Sequence, residues 1–304
     1  MPYKVRDPYH RAMRAFLREK AMMASKKTML SYRYWLEEAG KIVEYRNPHK
    51  ITLEEMQRIE AEVNGNPSSK AIKCSVIKQF LQSAGNPTAT RWKILSRQIK
   101  KVDGVFLSET AIEHIRNIAR GMGTVYELLF SLGVDNGLRC VDMARLTAKN
   151  AEQLLKNGIS MIRSKGRAGG KIRPMVLNQM TFGPLMEYMK IRRQLTQAYL
   201  CNPENLLVTE HKHKLTSLKE YTIRKYLVKI SDASGIYFRP HDLRRTFGHR
   251  HWKAGTPIET IAALMGHESI DQTFKAYIGI QLDDMILAQR NLCPSGLSQA
   301  KKVT

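Results

Sequence analysis

Residues 158–177, GISMIRSKGRAGGKIRPMVL, interrupt an otherwise helical apolar rhythm. GISMIRSK and KIRPMVL are short runs of strand-like character. The Gly166-Arg167-Ala168-Gly169-Gly170 segment between them carries glycines that adopt a left-handed backbone without steric cost. This pattern predicts a β-hairpin. Outward from it the spacing turns helical. Downstream, Ser217 and Glu220 mark the start of a helix over LKEYTIRKYLVKI, Thr256, Pro257 and Glu259 mark one over ETIAALM, and Ser269 and Gln272 open one that runs through Tyr277. Upstream, Ser25 precedes KTMLSYRYWLEEAGKIV, in which Met29, Leu30, Tyr32, Leu36 and Ile42 recur at amphipathic spacing. Thr52 and Glu55 form a capping box, each satisfying a free backbone donor at the other's position. SKAIKCSVIKQFLQSAG reads as a helix that ends at Gly85 and the Asn86-Pro87 breaker. The fold class is mostly α with a small β-hairpin or sheet.

These signals group into a helical domain over residues 1–90 and an α-rich domain with the hairpin over 105–290. Between them RWKILSRQIKK, rich in basic residues and free of acids, reads as part of a basic linker over 91–104. A tail occupies 291–304. After Tyr277, IGIQLDDMILAQRNL spaces Ile280, Leu282, Met285, Ile286 and Leu292 as a further amphipathic segment, which buries either in its own domain or in a neighbour's.

With 304 residues, 43% of them hydrophobic, the chain is long and apolar enough for one or two ordinary cores, which excludes disorder and collagen-like repeats. Fifty Lys and Arg against 27 Asp and Glu leave a net charge of +23, so polyanions are the expected partners. About half of that surplus sits in residues 1–100, where 20 basic residues face 9 acidic ones. The cysteines, Cys74, Cys140, Cys201 and Cys293, form no Cys-x-x-Cys pair and no disulfide framework, which suits a reducing, cytoplasmic setting. No run of 18 apolar residues and no secretory signal is present, so membrane spanning is not expected.

Four stretches concentrate polar groups suited to chemistry: NGLRCVDMARL at 136–146, the hairpin with Lys165, RPHDLRRTFGH at 239–249, and MGHESIDQTFKAY at 265–277. His241 and Arg244, three apart, share a helix face, so an imidazole and a guanidinium can converge on one ligand. A phosphate suits them: arginine offers a rigid fork to two oxygens, and histidine exchanges a proton near neutral pH. Singly, each of the other residues has a plainer reading. Arg139 pairs with Asp142, His267 fills a tight turn, and Tyr277 packs its ring and wets its hydroxyl.

Taken together and in order, Arg139, Lys165, His241-x-x-Arg244, His267 and Tyr277 resemble the tyrosine recombinases, the phage integrase family. GLRCVDMARL is similar to the family's first-arginine motif, SKGRAGGKIRPMVL to its lysine hairpin, HDLRRTF to its His-x-x-Arg helix, and GHESIDQTFKAY to its histidine-to-tyrosine segment. The N-terminal third resembles the helical core-binding domain that precedes the catalytic domain. By this resemblance the two domains form a clamp on double-stranded DNA. Asp142 stands where the family usually has Glu, and Tyr277 lies ten positions after His267 where many members have an interval of nine. Lys171 competes with Lys165 for the hairpin role, and Lys165 holds the family's place at the end of the first strand.

The resemblance implies a site-specific recombinase of Xer-like, two-domain organisation. It acts in integration or excision of a mobile element or in dimer resolution, as a homo-tetramer in synapsis. Tyr277 attacks the scissile phosphate to give a 3'-phosphotyrosyl link. Arg139 and Arg244 hold the non-bridging oxygens, Lys165 protonates the leaving 5'-oxygen, His241 exchanges the tyrosine proton, and His267 bonds the phosphate. The ester conserves the bond's energy, so no cofactor, metal or ATP is expected. Lys26, Lys27, Arg91, Lys93, Arg97 and Lys100 are candidate DNA contacts chosen by position. The close pairs His211/His213 and His249/His251 have a spacing that suggests metal ligands. No Cys or carboxylate set completes either, and HKHK reads as a loop ahead of the Ser217 helix. Two other readings stand beside the first: a non-catalytic DNA-binding protein on the same fold, distinguished by loss of the covalent step, and a topoisomerase-like enzyme, which needs one duplex and no synapsis.

Overall fold

In the computed structural model, residues 7–95, 106–165 and 170–266 are described. The described residues divide into two compact units, 7–95 in the first and 106–165 with 171–266 in the second.

Side-chain caps set the helices of the first unit. Asp7 accepts from the His10 amide and Pro8 fills the first turn of α1 (Pro8–Ala21), where a missing N–H costs nothing. Ser25 caps α2 (Lys26–Ile42), and the Thr52–Glu55 capping box starts α3 (Leu53–Glu62) with both of its hydrogen bonds present. Asn66, ahead of Pro67, caps α4 (Pro67–Ser83). The apolar faces of these helices close around Tyr9, Phe16, Leu36, Met56, Phe80 and Trp92, all essentially buried. Asn86, read as a breaker, is a buried tie. Its amide donates to the carbonyls of Pro48 and Ile51 at 2.7 and 2.8 Å, and its oxygen accepts from the amides of Thr88 and Ala89. Lys73 reaches Glu38 at 2.7 Å; burial alone would raise the Glu38 carboxyl, but Lys73 and the Asn64 amide outweigh it and hold its pKa below the usual value.

The second unit is built on α6 (Thr124–Val134), whose residues Leu128–Val134 are all buried. A strand-free apolar helix of this kind belongs at the centre of a helical core. It packs against α5 (Glu109–Met122), and against three helices that follow in the chain: α9 (Gln179–Ala198), α10 (Glu220–Ser234) and α11 (Pro240–Lys253). Arg116 of α5 is buried and holds Asp135, just beyond α6, through two bonds of 3.0 and 2.9 Å. After α7 (Cys140–Arg145) and α8 (Ala148–Asn157), strands β1 (Ile159–Ser164) and β2 (Lys171–Val176) pair antiparallel, from Ile159 opposite Val176 to Ser164 opposite Lys171. This is the hairpin that the glycine-bounded runs foretell. Its inner face presents Ser160, Ile162 and Ser164 from β1 and Arg173 and Met175 from β2. The short helix α12 (Ile258–Met265) ends at Gly266 in a left-handed conformation.

Two local readings change. HKHK is the turn of a second hairpin, β3 (Val208–His211) with β4 (Lys214–Ser217), rather than a loop. Lys212 and His213 take φ of 50° and 57°, a turn conformation that sequence signals assign to glycine or asparagine. Ser217 therefore ends a strand and donates to Asn205 at 3.0 Å, while the N-cap position of α10 is Lys219, with no side-chain cap. The start of α12 likewise has Pro257 at its N-cap position and no side-chain cap from Thr256. The helix expected from Ser269 lies outside the described residues.

Candidate active site

Arg139 is the last extended residue before α7. Gly137 makes the turn that delivers it, at φ +63°, and any Cβ there would meet the Phe247 ring, so glycine is required twice over. Asp142, at the third position of α7, is wholly buried. Its Oδ2 accepts from the Arg139 amide at 3.4 Å and lies 3.8 Å from Arg139 Nη1. Its Oδ1 accepts from the Lys165 amide at 2.9 Å. Asp142 thus does more than buttress Arg139: its shortest bond goes to the backbone of the hairpin lysine, and the Arg139 guanidinium stays 28% exposed.

Lys165 directly follows β1, and its side chain is exposed. The residue before it is held from two directions. Arg145 Nη1 donates to the Ser164 carbonyl at 3.0 Å, and Arg173 Nε donates to Ser164 Oγ at 3.0 Å. Lys171, the rival candidate, opens β2 opposite Ser164.

Arg244 projects from α11 into the interior and is 1% exposed. Its Nη1 donates to the Gly137 carbonyl at 2.6 Å and its Nη2 to the Met265 carbonyl at 2.5 Å. One guanidinium therefore joins the turn ahead of Arg139 to the end of α12, two residues before His267. His241, one turn earlier on α11, keeps an exposed edge. Desolvation by the surrounding protein, then the charges of Arg244, Arg245 and Arg139, pull its imidazole below the ordinary pKa, which favours the neutral form. A neutral imidazole beside guanidinium groups is equipped to accept a proton near an anion that those groups hold. Arg139, Lys165, His241 and Arg244 are thus linked through α7, the hairpin and α11. His267 and Tyr277 lie outside the described residues.

Of the candidate DNA contacts, Lys26, Lys27, Arg91 and Lys93 are exposed on the first unit, and Arg97 and Lys100 lie outside the described residues. Of the His pairs, His211 ends β3 and His213 sits in the turn, while His249 is buried and stacks on Phe106 with ring centroids 4.3 Å apart. Among the described residues no group of three His, Cys, Asp or Glu is placed to hold a metal, and no helix is long and apolar enough to cross a membrane.

Sequence reasoning missed Arg173. It is 5% exposed, and besides Ser164 it donates from Nη1 to the Leu264 carbonyl at 2.8 Å, while Nη2 lies 3.9 Å from Asp142 Oδ2. The signal was present in parity: Arg173 shares the inner face of β2 with Met175, because alternate strand residues point the same way.

The model of the phage integrase family matches residues 105–282. The chain belongs to this family, the tyrosine site-specific recombinases. Over 259 residues it is 26% identical to the tyrosine recombinase XerA of Saccharolobus solfataricus, covering 79% of this chain and 78% of that one. In fold it is similar to the Tn1549 transposon integrase in complex with a circular intermediate DNA, with a TM-score of 0.67 at 16% identity over 93% of this chain and 99% of that one. It is also similar to a lambda integrase dimer bound to a COC' core site, with a TM-score of 0.67 at 15% identity over 90% of this chain and 78% of that one.

Proposed function

We propose that this chain cleaves and rejoins double-stranded DNA at a specific site through a 3'-phosphotyrosyl intermediate on Tyr277. The observation that carries the reading is the bond from Arg244 to the Gly137 carbonyl, which ties one guanidinium to the turn that presents the other, Arg139. Two cations so linked suit the non-bridging oxygens of one phosphate, where charge grows as the nucleophile attacks. Tyr277 Oη forms a bond to phosphorus while the bond to the 5'-oxygen breaks. His241, neutral, takes the tyrosine proton, Lys165 gives a proton to the leaving oxygen, and His267 donates to the phosphate. Rejoining is the reverse, with the ester's energy retained, so neither ATP nor a divalent metal is required.

In this reading residues 1–90 are the core-binding domain, 91–104 the basic linker, 105–290 the catalytic domain and 291–304 the tail. Lys26, Lys27, Arg91, Lys93, Arg97 and Lys100 contact backbone phosphates. The relatives of like fold, the Tn1549 and lambda integrases, are bound to DNA, and they support DNA as the substrate. Four copies assemble on two duplexes, for integration or excision of a mobile element or for dimer resolution.

The test is incubation with DNA fragments flanking the gene in excess chelator, with Tyr277→Phe alongside. A denaturant-resistant protein–DNA adduct that the variant lacks is the expected result, and it delivers the target fragment. Salt-sensitive retention of a fragment without any adduct would overturn the catalytic reading and leave a DNA-binding protein.

A further inference from the structure

The Lys165 side chain is exposed, so its aim depends on where its backbone is fixed. Two side chains hold that backbone directly, and a third holds the side chain of the preceding residue, Ser164. Asp142 Oδ1 takes the Lys165 amide at 2.9 Å, Arg145 takes the Ser164 carbonyl at 3.0 Å, and Arg173 Nε takes Ser164 Oγ at 3.0 Å. Asp142 also holds Arg139, and Arg173 reaches further still. Its Nη2 faces the carboxylate that receives the Lys165 amide, at 3.9 Å, and its Nη1 is fastened to the Leu264 carbonyl at 2.8 Å. A Cβ on Gly266 would strike the Arg173 side chain, so the backbone at Gly266 lies directly against it. A planar guanidinium spreads five donors over three nitrogens in a fixed fork, whereas a lysine ammonium gathers its three on one atom at the end of a flexible stem.

We propose that Arg173 is a positioning residue for the strand-cleavage step, holding the end of β1 so that Lys165 Nζ meets the leaving 5'-oxygen. It acts through Ser164 and Asp142. The inference rests on the reading of Lys165 as the general acid.

A leaving thiolate separates this role from a merely structural one. When the scissile 5'-oxygen is replaced by sulfur, the P–S bond breaks to release a stable thiolate, and no proton need be delivered. The substrate is the duplex fragment identified by the Tyr277 adduct, made with oxygen or with sulfur at the scissile position, and the readout is the single-turnover rate of adduct formation. Lys165→Ala should lose on the order of 10²-fold or more on the oxygen substrate and recover most of it on the sulfur substrate. Arg173→Lys, which retains the buried charge, should lose about tenfold or more on oxygen and come within about threefold of the parent on sulfur. Ser164→Ala removes the acceptor without touching the buried ion pair and should repeat that pattern at smaller amplitude, so it decides the matter if Arg173→Lys folds poorly.

Equal losses on both substrates for Arg173→Lys and Ser164→Ala, with Lys165→Ala rescued, would overturn the positioning role and leave the acid assignment intact. Failure of sulfur to rescue Lys165→Ala would overturn the acid assignment itself.

Discussion

Helices α7 and α11 begin alike and end up differently employed. Each has an arginine at the N-cap position, Arg139 and Arg239, and a wholly buried aspartate three residues on, Asp142 and Asp242, whose oxygen accepts the arginine's own amide. Asp242 keeps its remaining interactions local, with Arg239 Nε at 3.1 Å and Arg245 Nη1 at 3.5 Å. Asp142 gives its second oxygen to Lys165, 23 residues away, and faces Arg173 of β2. The same capping device therefore closes one helix and, at the other, braces two elements of the proposed site. A buried carboxylate's importance to chemistry is set by what its free lone pairs reach, and its cap reveals nothing of that.

The contrast can be broken by experiment. The largest effect is expected from Asp142→Asn, which puts an amide donor where the Lys165 and Arg139 amides need acceptors. Adduct formation should slow about 10²-fold, the scale of an ångström-level misplacement at a reacting centre. Next comes Gly137→Ala, which breaks the turn feeding α7 but has no counterpart at α11. The left-handed backbone and the Phe247 contact should together cost about 2 kcal/mol in urea unfolding. Asp242→Asn sharpens the comparison from the other side, with about 1 kcal/mol of stability lost, as for other helix caps, and cleavage by the folded fraction little changed.

A smaller effect is expected from pH, because the first turn of α11 carries an imidazole and that of α7 does not. The His241 pKa is depressed from its ordinary 6.5, so on acidification the unfolded chain binds that proton first. Its contribution to stability is complete above pH 6.5 and falls away below it, and the cleavage rate should decline on an acid limb lying below 6.5. His241→Asn should flatten that part of the stability profile. Smallest of all is Arg239→Ala: the guanidinium is 58% exposed, and thermal unfolding should shift by no more than about 0.5 kcal/mol.

What could be read before the structure was local. The Ser25 cap, the Thr52–Glu55 box and the existence of the β1–β2 hairpin all depend on residues within a few positions of one another, or on a glycine-bounded loop. The arginine, lysine and His-x-x-Arg stretches were legible as motifs, and as members of a set. The second hairpin escaped because its turn is Lys212-His213, without glycine, and the pairing of Ser217 with Asn205 could not be separated from a helix cap by spacing alone. Arg173 escaped because a charged residue in a strand reads as solvated until the register places it on the inner face. The contacts that join the site, Asp142 to Lys165 and Arg244 to Gly137, span 23 and 107 residues, and no local pattern encodes them.

The buried ions described above bear on the molecule as a whole. Among the described residues the buried cations are Lys73, Arg116, Arg173, Arg192 and Arg244, and the buried anions are Glu60, Asp135, Asp142 and Asp242. The described interior is thus close to neutral, and nearly all of the positive surplus of the described residues lies outside it. Such a body repels itself, and any polyanion that binds only the folded state relieves the repulsion. Melting temperature should accordingly rise with inorganic polyphosphate of no particular sequence, which makes thermal stabilisation a measure of electrostatic load rather than of site recognition.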